Sequence, residues 1–219
     1  MRRAVICFTR VPRPGVTKTR LLPVLSPKQC AALHTAFLKD LARVYRELDA
    51  ELFVAYAPDP DWALLKDIFP MASELLPQTG ESLGERMDAA ICHVLSMGFE
   101  WVILTGTDLP MMGRRHLESG FSALDLSYVV LGPTPDGGYY LVGAKAPCTA
   151  VFEEQQYGGG NVYENTVKAA ERAGLSLGQA LPCGDVDTPE DLRRLALQAD
   201  PESHTGWFLA ALKKEGHLL

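Results

Sequence analysis

The chain has 219 residues, of which 47% are hydrophobic and 22% are charged, a composition typical of a globular protein with a buried core. Its formal net charge of −6 at pH 7 argues against a general nucleic-acid-binding or membrane-surface role. The five cysteines are scattered and form no Cys-x-x-Cys pair or His/Cys cluster, so the sequence indicates neither a disulfide framework nor a structural zinc site.

Basic residues are concentrated at the N-terminal end of the chain. Eight Lys or Arg residues fall within residues 1–39, and the first acidic residue is Asp40. We therefore expect a local anion-binding region on an otherwise acidic protein. The apolar run that ends at Phe8 is too short for a signal peptide, and no segment approaches the length of a membrane span. A cytoplasmic protein without a membrane span is the resulting expectation.

Short apolar, β-branched runs alternate with amphipathic helical patterns through the first two thirds of the chain. The predicted elements, in order, are strand 4–8, helix 27–48, strand 51–57, helix 62–69, strand 74–77, helix 83–95, strand 101–104, helix 114–124, strand 128–131, strand 139–143, helix 161–173, strand 177–182, helix 189–197 and helix 207–214. This alternation predicts an α/β fold with a mostly parallel sheet, and the two strands joined by the turn 133–138 predict an antiparallel departure. No linker divides the chain, so we expect one domain over residues 1–219.

The segment Trp101-Val-Ile-Leu-Thr-Gly-Thr-Asp-Leu-Pro110 joins a buried strand to a carboxylate. The apolar run ends at Gly106, and Asp108 follows directly. In open α/β sheets, ligands bind beyond the carboxyl ends of the strands, so Asp108 is a candidate catalytic and metal-binding residue. The alternative interpretation is that Asp108 only stabilises the turn.

A basic loop follows the first strand and is the second candidate site. It carries Arg10, Arg13, Lys18 and Arg20 on a backbone stiffened by prolines, and Gly15 would let the main chain approach a ligand closely. These cations suit a diphosphate or triphosphate. The loop is not a P-loop, because Thr17 stands where that motif has glycine. A solvated basic loop without a ligand is the alternative.

Two further segments supply carboxylates. In Gly184-Asp-Val-Asp-Thr-Pro-Glu-Asp-Leu192, Asp187 is predicted to join Asp108 in holding Mg²⁺, although helix capping alone would also explain the segment. In Pro135-Asp-Gly-Gly-Tyr139, Asp136 precedes two glycines that leave room for a ligand against the backbone, while ordinary turn chemistry is the alternative.

Six short motifs follow one another along nearly the whole chain, from about residue 4 to residue 195. They are Phe8-x-Arg10-x-Pro12-x-x-Gly15-x-x-Lys18-Thr-Arg-Leu21, Gln78-x-Gly80, Leu83-Gly-Glu-Arg-Met87, Gly106-Thr-Asp-x-Pro110, Gly132-Pro with Asp136-Gly-Gly-Tyr-Tyr-Leu141, and Asp185-Val-Asp-Thr-Pro-Glu-Asp-Leu192. In this combination the chain resembles a family of small bacterial GT-A-type transferases. That family is labelled as glycosyltransferases of the nucleotide-diphospho-sugar transferase superfamily and is similar to the phospholactate guanylyltransferases.

The resemblance implies a Rossmann-like GT-A fold, with a mostly parallel mixed sheet flanked by helices and a nucleotide over its carboxyl edge. It also implies Mg²⁺ or Mn²⁺ as cofactor. The catalytic residues that the resemblance implies are Asp108, Asp136 and Lys18, and the implied metal-binding residues are Asp108 and Asp187. The implied acceptor contacts are Gly137, Gly138 and Tyr139. The implied nucleotide or phosphate contacts are Arg10, Gly15, Lys18, Arg20, Gln78, Gly80 and Arg86. Two departures from the family are Arg10 in place of Lys, and Tyr157-Gly-Gly-Gly160 where Trp is followed by Ser or Thr.

Two transfer reactions fit these residues. Glycosyl transfer would use an NDP-sugar, with Asp136 as the base for the acceptor, and nucleotidyl transfer would use an NTP, with Lys18 and Arg20 on its phosphates. Either requires a nucleotide and an unknown small acceptor as partners. A third possibility of a different class is a non-catalytic nucleotide-binding or sugar-nucleotide-binding protein.

Overall fold

The computed structural model of the protein describes residues 1–153 and 155–216. Within these residues, seven strands form one sheet in the order β3-β2-β1-β4-β6-β5-β7. The strands are β1 (Arg3–Thr9), β2 (Glu51–Tyr56), β3 (Glu74–Pro77), β4 (Trp101–Thr105), β5 (Val129–Pro133), β6 (Tyr139–Ala144) and β7 (Leu177–Gln179). The prediction of an α/β fold with a mostly parallel mixed sheet is confirmed.

One strand of this sheet runs against the others. Strands β1 to β4 are parallel to one another, and β7 is parallel to β5. Strand β6 lies between β4 and β5 and is antiparallel to both, as the close spacing of the two strands predicted. The turn between β5 and β6 therefore lies at the same edge of the sheet as the carboxyl ends of β1 and β4.

Seven α-helices accompany the strands in the described part of the chain. They are α1 (Pro27–Arg46), α2 (Leu64–Ile68), α3 (Leu83–Ser96), α4 (Arg114–Leu126), α5 (Val162–Arg172), α6 (Pro189–Gln198) and α7 (His204–Lys214). Helices α1, α2 and α4 pack on one face of the sheet, and α3 and α5 pack on the other. A third apolar cluster joins the first half of α1 to α6 and α7.

The helix starts follow from their capping residues. Ser26 caps α1 with a reciprocal bond to Gln29, and Pro27 occupies the first turn, where its missing N–H costs no hydrogen bond. Ser82 accepts the N–H of Glu85 at the start of α3. The Glu85 carboxylate in turn accepts the N–H of Glu81 at 2.8 Å.

In the described residues, no helix combines the length and the apolar composition that crossing a membrane requires.

Candidate active site

A cavity of about 510 Å³ opens beyond the carboxyl ends of the first four strands. This volume lies within the usual range for small-molecule sites, and its position is where open α/β sheets bind ligands. Its lining comprises Phe8, Thr9, Arg10, Val16, Thr17, Lys18, Thr19, Arg20, His34, Ala57, Gln78, Leu83, Arg86, Gly106, Thr107, Asp108 and Asp187.

The lining is cationic although the chain as a whole is acidic. Four basic side chains, Arg10, Lys18, Arg20 and Arg86, face two acidic ones, Asp108 and Asp187. A concave surface with this excess of positive charge concentrates anions from solution. The cavity is therefore suited to a ligand with several negative charges, such as a polyphosphate.

The Lys18 ammonium lies between the two predicted metal-binding carboxylates. Its Nζ is 2.6 Å from Asp108 Oδ1 and 3.4 Å from Asp187 Oδ1, and it donates to the Val186 carbonyl oxygen at 2.6 Å. The Lys18 side chain is only 3% exposed, whereas those of Asp108 and Asp187 are 42% and 33% exposed. The ammonium is thus held in the wall, and both carboxylates remain accessible from the cavity.

The backbone of the basic loop adopts an unusual conformation at Lys18. Its φ of 54° and ψ of 37° place this residue in the left-handed region, which disfavours residues other than glycine. A 3₁₀ turn over Thr19–Leu21 follows, and the Lys18 ammonium lies 5.2 Å from the centre of the Phe37 ring on α1. This conformation turns the side chain inward, toward the end of β4.

The segment before α6 brings Asp187 to Lys18. Thr188 accepts the N–H of Asp191, and the Asp191 carboxylate accepts the N–H groups of both Asp187 and Thr188. The backbone N–H of Val186 also donates to the carbonyl of Asp108 at 2.9 Å, which ties the segment to the end of β4. Because Thr188 and Asp191 carry out the capping, the Asp187 carboxylate is left to contact Lys18 and Arg20.

Two carboxylates at this edge of the sheet, Asp185 and Asp187, resist ionisation. Burial, and secondly the nearby Asp108 charge, raise the pKa of Asp187, while Lys18 and Arg20 act in the opposite direction. Burial, followed by the charges of Asp187 and Asp136, raises the pKa of Asp185 to about 6. Burial is the largest cause in both cases, so the folded protein disfavours the charged forms of Asp185 and Asp187.

This donor set suits a divalent cation that also binds phosphate oxygens. Mg²⁺ typically uses one or two protein carboxylates together with waters and substrate phosphates. Asp108 and Asp187 both approach one ammonium, so they are near enough to share a cation. Among the described residues, no group of three or more His, Cys, Asp or Glu side chains could hold a metal ion alone. Any remaining ligands would come from the substrate and from water.

Two of the predicted nucleotide-binding residues that follow β3, Gln78 and Arg86, line the cavity. The Gln78 side-chain nitrogen donates to the carbonyls of Thr9 and Ala55, so its NH₂ group already links strand ends. Arg86 donates from Nε to the Gly80 carbonyl at 2.9 Å. Gly80 is outside the cavity lining, and glycine is required there because φ is +124° and because an added Cβ would lie 2.8 Å from Glu85 Cβ.

The basic loop separates into cavity residues and anchoring residues. Arg10 lines the cavity, whereas Gly15, at φ +76°, belongs to a turn outside the lining. Arg13 points away from the site and forms ion pairs with Asp59 and Asp61 in the loop after β2. Arg13 therefore fastens the loop to its neighbour.

The predicted acceptor residues form a separate turn at the same edge of the sheet. Asp136 Oδ1 accepts the Thr134 hydroxyl and the Gly138 N–H, as the turn interpretation requires. A Cβ on Gly137 would lie 1.9 Å from the Gly160 carbonyl oxygen, so this glycine packs against the backbone. The Tyr139 hydroxyl is 3.3 Å from that of Tyr157. None of these predicted residues (Asp136, Gly137, Gly138 and Tyr139) is part of the described cavity lining. The turn therefore lies outside the cavity, at the same edge of the sheet.

Several cavity residues were not predicted from the sequence. The His34 ring on α1 reaches the cavity and lies 3.3 Å from Thr107 Oγ1. A polar residue on an otherwise apolar helical stripe was the available signal. Phe8 and Leu83 form apolar parts of the wall, and apolar residues near a strand end or helix start give no comparable signal.

Comparison with known proteins tests the predicted resemblance to nucleotide-diphospho-sugar transferases. The chain is 31% identical to a protein from Desulfovibrio desulfuricans G20 provisionally assigned as a nucleotide-diphospho-sugar transferase, whose crystal structure superimposes with a TM-score of 0.89. That match covers 98% of this chain and 96% of the other. The predicted resemblance to nucleotide-diphospho-sugar transferases is thereby confirmed.

Two curated relatives are guanylyltransferases. The 2-phospho-L-lactate guanylyltransferase of Methanothermobacter thermautotrophicus is 26% identical over 90% of this chain and 85% of its own. The phosphoenolpyruvate guanylyltransferase of Sphaerobacter thermophilus is 26% identical over 87% of this chain and 92% of its own. These relatives confirm the prediction that the chain is a transferase.

A family model also matches residues 40–159, more than half of the chain. The family is described as "Uncharacterized protein conserved in bacteria". From this match, the chain belongs to the DUF2064 family of bacterial proteins, and it is a transferase with the nucleotide-diphospho-sugar transferase fold.

Proposed function

We propose that the chain is a guanylyltransferase, which transfers GMP from GTP to a small phosphorylated carboxylic acid. The observation that carries this proposal is the Lys18 ammonium, held between Asp108 and Asp187 in the wall of a cationic cavity of nucleotide size. The two curated relatives support guanine as the base. They also support the acceptor class, since both act on a three-carbon phosphorylated acid.

In this reaction an oxygen of the acceptor phosphate attacks the α-phosphorus of GTP. The new bond joins GMP to the acceptor, the bond between the α-phosphorus and the bridging oxygen breaks, and pyrophosphate leaves with the electron pair of that bond. Lys18, Arg20 and Arg10 supply positive charge against the phosphates, where charge-assisted hydrogen bonds are strongest. Because a phosphate monoester is largely ionised at neutral pH, the attacking oxygen requires no protein base.

Asp108 and Asp187 would hold Mg²⁺ or Mn²⁺ together with phosphate oxygens of the nucleotide. When bound, such an ion neutralises charge on the transferred phosphoryl group and the leaving pyrophosphate. For both carboxylates to turn toward it, the Lys18 ammonium must give up part of its contact with them. An ammonium released from these contacts would supply its charge to the phosphates, so metal and nucleotide are expected to bind cooperatively.

The arrangement of acids favours nucleotidyl transfer over glycosyl transfer. Only Asp108 follows β4 directly, and its partner Asp187 comes from a distant segment. A hydroxyl acceptor in glycosyl transfer would need a base, for which Asp136 was the candidate, yet Asp136 is engaged in its own turn. Glycosyl transfer remains the second candidate, because the Desulfovibrio relative carries a sugar-transferase assignment.

The test combines the purified protein with GTP labelled in the α-phosphate, MgCl₂ and either 2-phospholactate or phosphoenolpyruvate. We expect a labelled product and stoichiometric pyrophosphate, and neither with Asp108→Asn. Asp125→Asn removes a carboxylate at the far end of α4 and serves as the matched control. Conversion of GDP-sugars without use of GTP would instead identify glycosyl transfer, and Asp136→Asn should then abolish turnover. Under nucleotidyl transfer, Asp136→Asn should retain it.

A non-catalytic binding protein would give another pattern. It would bind GTP without turnover, and Mg²⁺ and Asp108→Asn would leave its affinity unchanged. Thermal-shift measurements with GTP, the other NTPs and NDP-sugars, each with and without Mg²⁺, separate these cases because a ligand that binds only the folded state raises its melting temperature. A folded protein with no shift for any nucleotide would refute the proposal.

A further inference from the structure

His34 occupies a position on α1 that packing alone does not explain. It lies on the buried face of the helix and is only 4% exposed, among apolar residues that include Leu33, Phe37 and Leu38. Its ring nevertheless reaches the cavity, where Nε2 is 3.3 Å from the Thr107 hydroxyl oxygen. Thr107 immediately precedes Asp108, so His34 contacts the turn that carries the proposed metal-binding carboxylate.

The hydroxyl groups around His34 determine which ring nitrogen carries the hydrogen. Thr9 donates its only hydroxyl hydrogen to the Arg10 carbonyl at 3.0 Å. The contact of 3.5 Å between the Thr9 and Thr107 hydroxyls is then satisfied with Thr107 as the donor. Once Thr107 has donated to Thr9, its oxygen can only accept from His34. The chain of bonds is complete when His34 Nε2 carries the hydrogen.

The ring is uncharged and keeps one unsatisfied nitrogen. Burial, followed by the positive charges of Lys18 and Arg10, lowers the pKa of His34 to about 3. With its hydrogen on Nε2, the ring leaves Nδ1 as an acceptor that has no hydrogen-bond partner among the described residues. A buried nitrogen without a partner is unfavourable, so an apolar residue would pack here at lower cost. The bond to Thr107 is the feature that an apolar residue would lose.

We propose that His34 is a positioning residue, whose Nε2–H holds the Thr107 hydroxyl and thereby fixes the turn that directs Asp108 toward Lys18. The inference rests on the proposed function, because that function supplies the metal and nucleotide that Asp108 would bind. Its local part, the bond from His34 to Thr107, stands on the geometry alone.

Tyr45 provides a matched structural control. It also lies on α1, and its buried hydroxyl is 2.8 Å from Thr105 Oγ1 on β4. The Tyr45–Thr105 pair and the His34–Thr107 pair thus both connect α1 with β4 or with the turn that follows β4. Tyr45 and Thr105, however, are outside the described cavity lining. Tyr45→Phe should lower stability without changing the site.

The experiment compares His34→Phe, His34→Gln, Thr107→Val and the double variant His34→Phe/Thr107→Val. Calorimetry with GTP and MgCl₂ gives the dissociation constant, and steady-state assays separate kcat from KM. We expect His34→Phe and Thr107→Val each to weaken metal-dependent binding by about threefold to tenfold, the equivalent of one hydrogen bond. The double variant should be no weaker than either single variant, because both remove the same bond. His34→Gln keeps an N–H donor and should recover most of the affinity.

Three results would overturn the inference: additive losses in the double variant, an equal loss in Tyr45→Phe, or unchanged binding in His34→Phe. A wild-type protein that binds no nucleotide would refute the proposed function instead. Imidazole ¹⁵N NMR then tests the local bond without a ligand. At pH 7 the His34 ring should be the neutral Nε2–H tautomer, with an Nε2 resonance that shifts in Thr107→Val. A hydrogen on Nδ1 would refute the proposal whatever the nucleotide result.

Discussion

Replacing Lys18 by methionine tests the arrangement on which the active site depends. The substitution keeps an unbranched side chain of similar length and removes the ammonium from Asp108, Asp187 and the Val186 carbonyl. A hydrogen bond to a charged group contributes about 1.5–3 kcal/mol, and the partial exposure of both carboxylates reduces their share. We therefore expect the free energy of unfolding to fall by about 2 kcal/mol at pH 7.5.

The loss should depend on pH in a defined direction. Without Lys18, the pKa of Asp187 rises further above its value in the unfolded chain, because the neighbouring Asp108 charge is no longer opposed by the ammonium. A group whose pKa is raised on folding stabilises the folded state below its unfolded pKa and loses that contribution as pH rises through the folded pKa. The difference between variant and wild type should thus be smallest near about pH 4 and should reach its full size near neutrality.

Urea unfolding followed by tryptophan fluorescence at several pH values measures this difference. Lys28→Met is the matched control, since Lys28 is exposed in the first turn of α1. Excess MgCl₂ should restore more stability to Lys18→Met than to wild type, because the cation no longer competes with the ammonium. The reasoning fails if Lys18→Met is as stable as Lys28→Met at pH 7.5, or if its deficit is the same at every pH.

Three further substitutions test other residues at the edge of the sheet that carries the site. Asp185→Asn should raise the free energy of unfolding by about 1–2 kcal/mol at pH 7.5 and remove the decline in stability between about pH 4 and 6, because the raised pKa shows that folding disfavours its charge. Gly137→Ala should lower stability by about 2–4 kcal/mol, since its side chain would meet a backbone oxygen 1.9 Å away at a φ of +86°. Thr188→Ala should cost about 1 kcal/mol and weaken GTP binding, because it removes the cap that Asp191 shares.

Each of these has a control and an outcome that contradicts it. Urea titrations of Asp185→Asn at pH 4 and 7.5 should differ, and an equal effect at both would exclude a charge origin. Gly158→Ala has a similar φ of +92° with no atom near its Cβ, so thermal melts should show it as the milder glycine variant. Thr188→Ser keeps the hydroxyl and should bind GTP as wild type does, and calorimetry that finds it as weak as Thr188→Ala would argue against the cap.

The elements of the fold could be predicted because their patterns are local. The buried run of β4, the apolar stripe of α1 and the Ser26 cap each occupy a continuous stretch of sequence. The antiparallel β6 followed from two strands separated by one short turn. Boundaries moved by one to three residues, as at α7, which begins at His204 and not at 207, because Ser203 accepts the N–H of Gly206 and caps the helix earlier.

From the sequence, the site could be predicted only as a group of charged residues that follow the ends of strands. Sheet topology places Lys18, Asp108 and Asp187 after β1, β4 and β7 at one edge, and the bond from the Val186 N–H to the Asp108 carbonyl brings the segment after β7 across to β4. It does not determine how each side chain is used. The outward turn of Arg13 depends on the acids after β2, and the inward reach of His34 depends on where Thr107 comes to rest. These are contacts between distant segments, which no local pattern encodes.

The reversed strand β6 joins the strands that carry the cavity to the hairpin that carries the turn at 134–138. The cavity is built mainly from β1 to β4 and their loops, whereas the turn at 134–138 and the loop containing Gly160 lie on the β5–β6 side. The tip of this hairpin, residues 134–138, lies outside the cavity lining, whereas its base is tied to the cavity by the pairing of β6 with β4 and by the bond from the Gly106 N–H to the Tyr140 carbonyl at 3.0 Å. Under the predicted acceptor role of Gly137, Gly138 and Tyr139, we expect changes confined to the hairpin tip to alter the choice of second substrate and to leave the cavity residues in place.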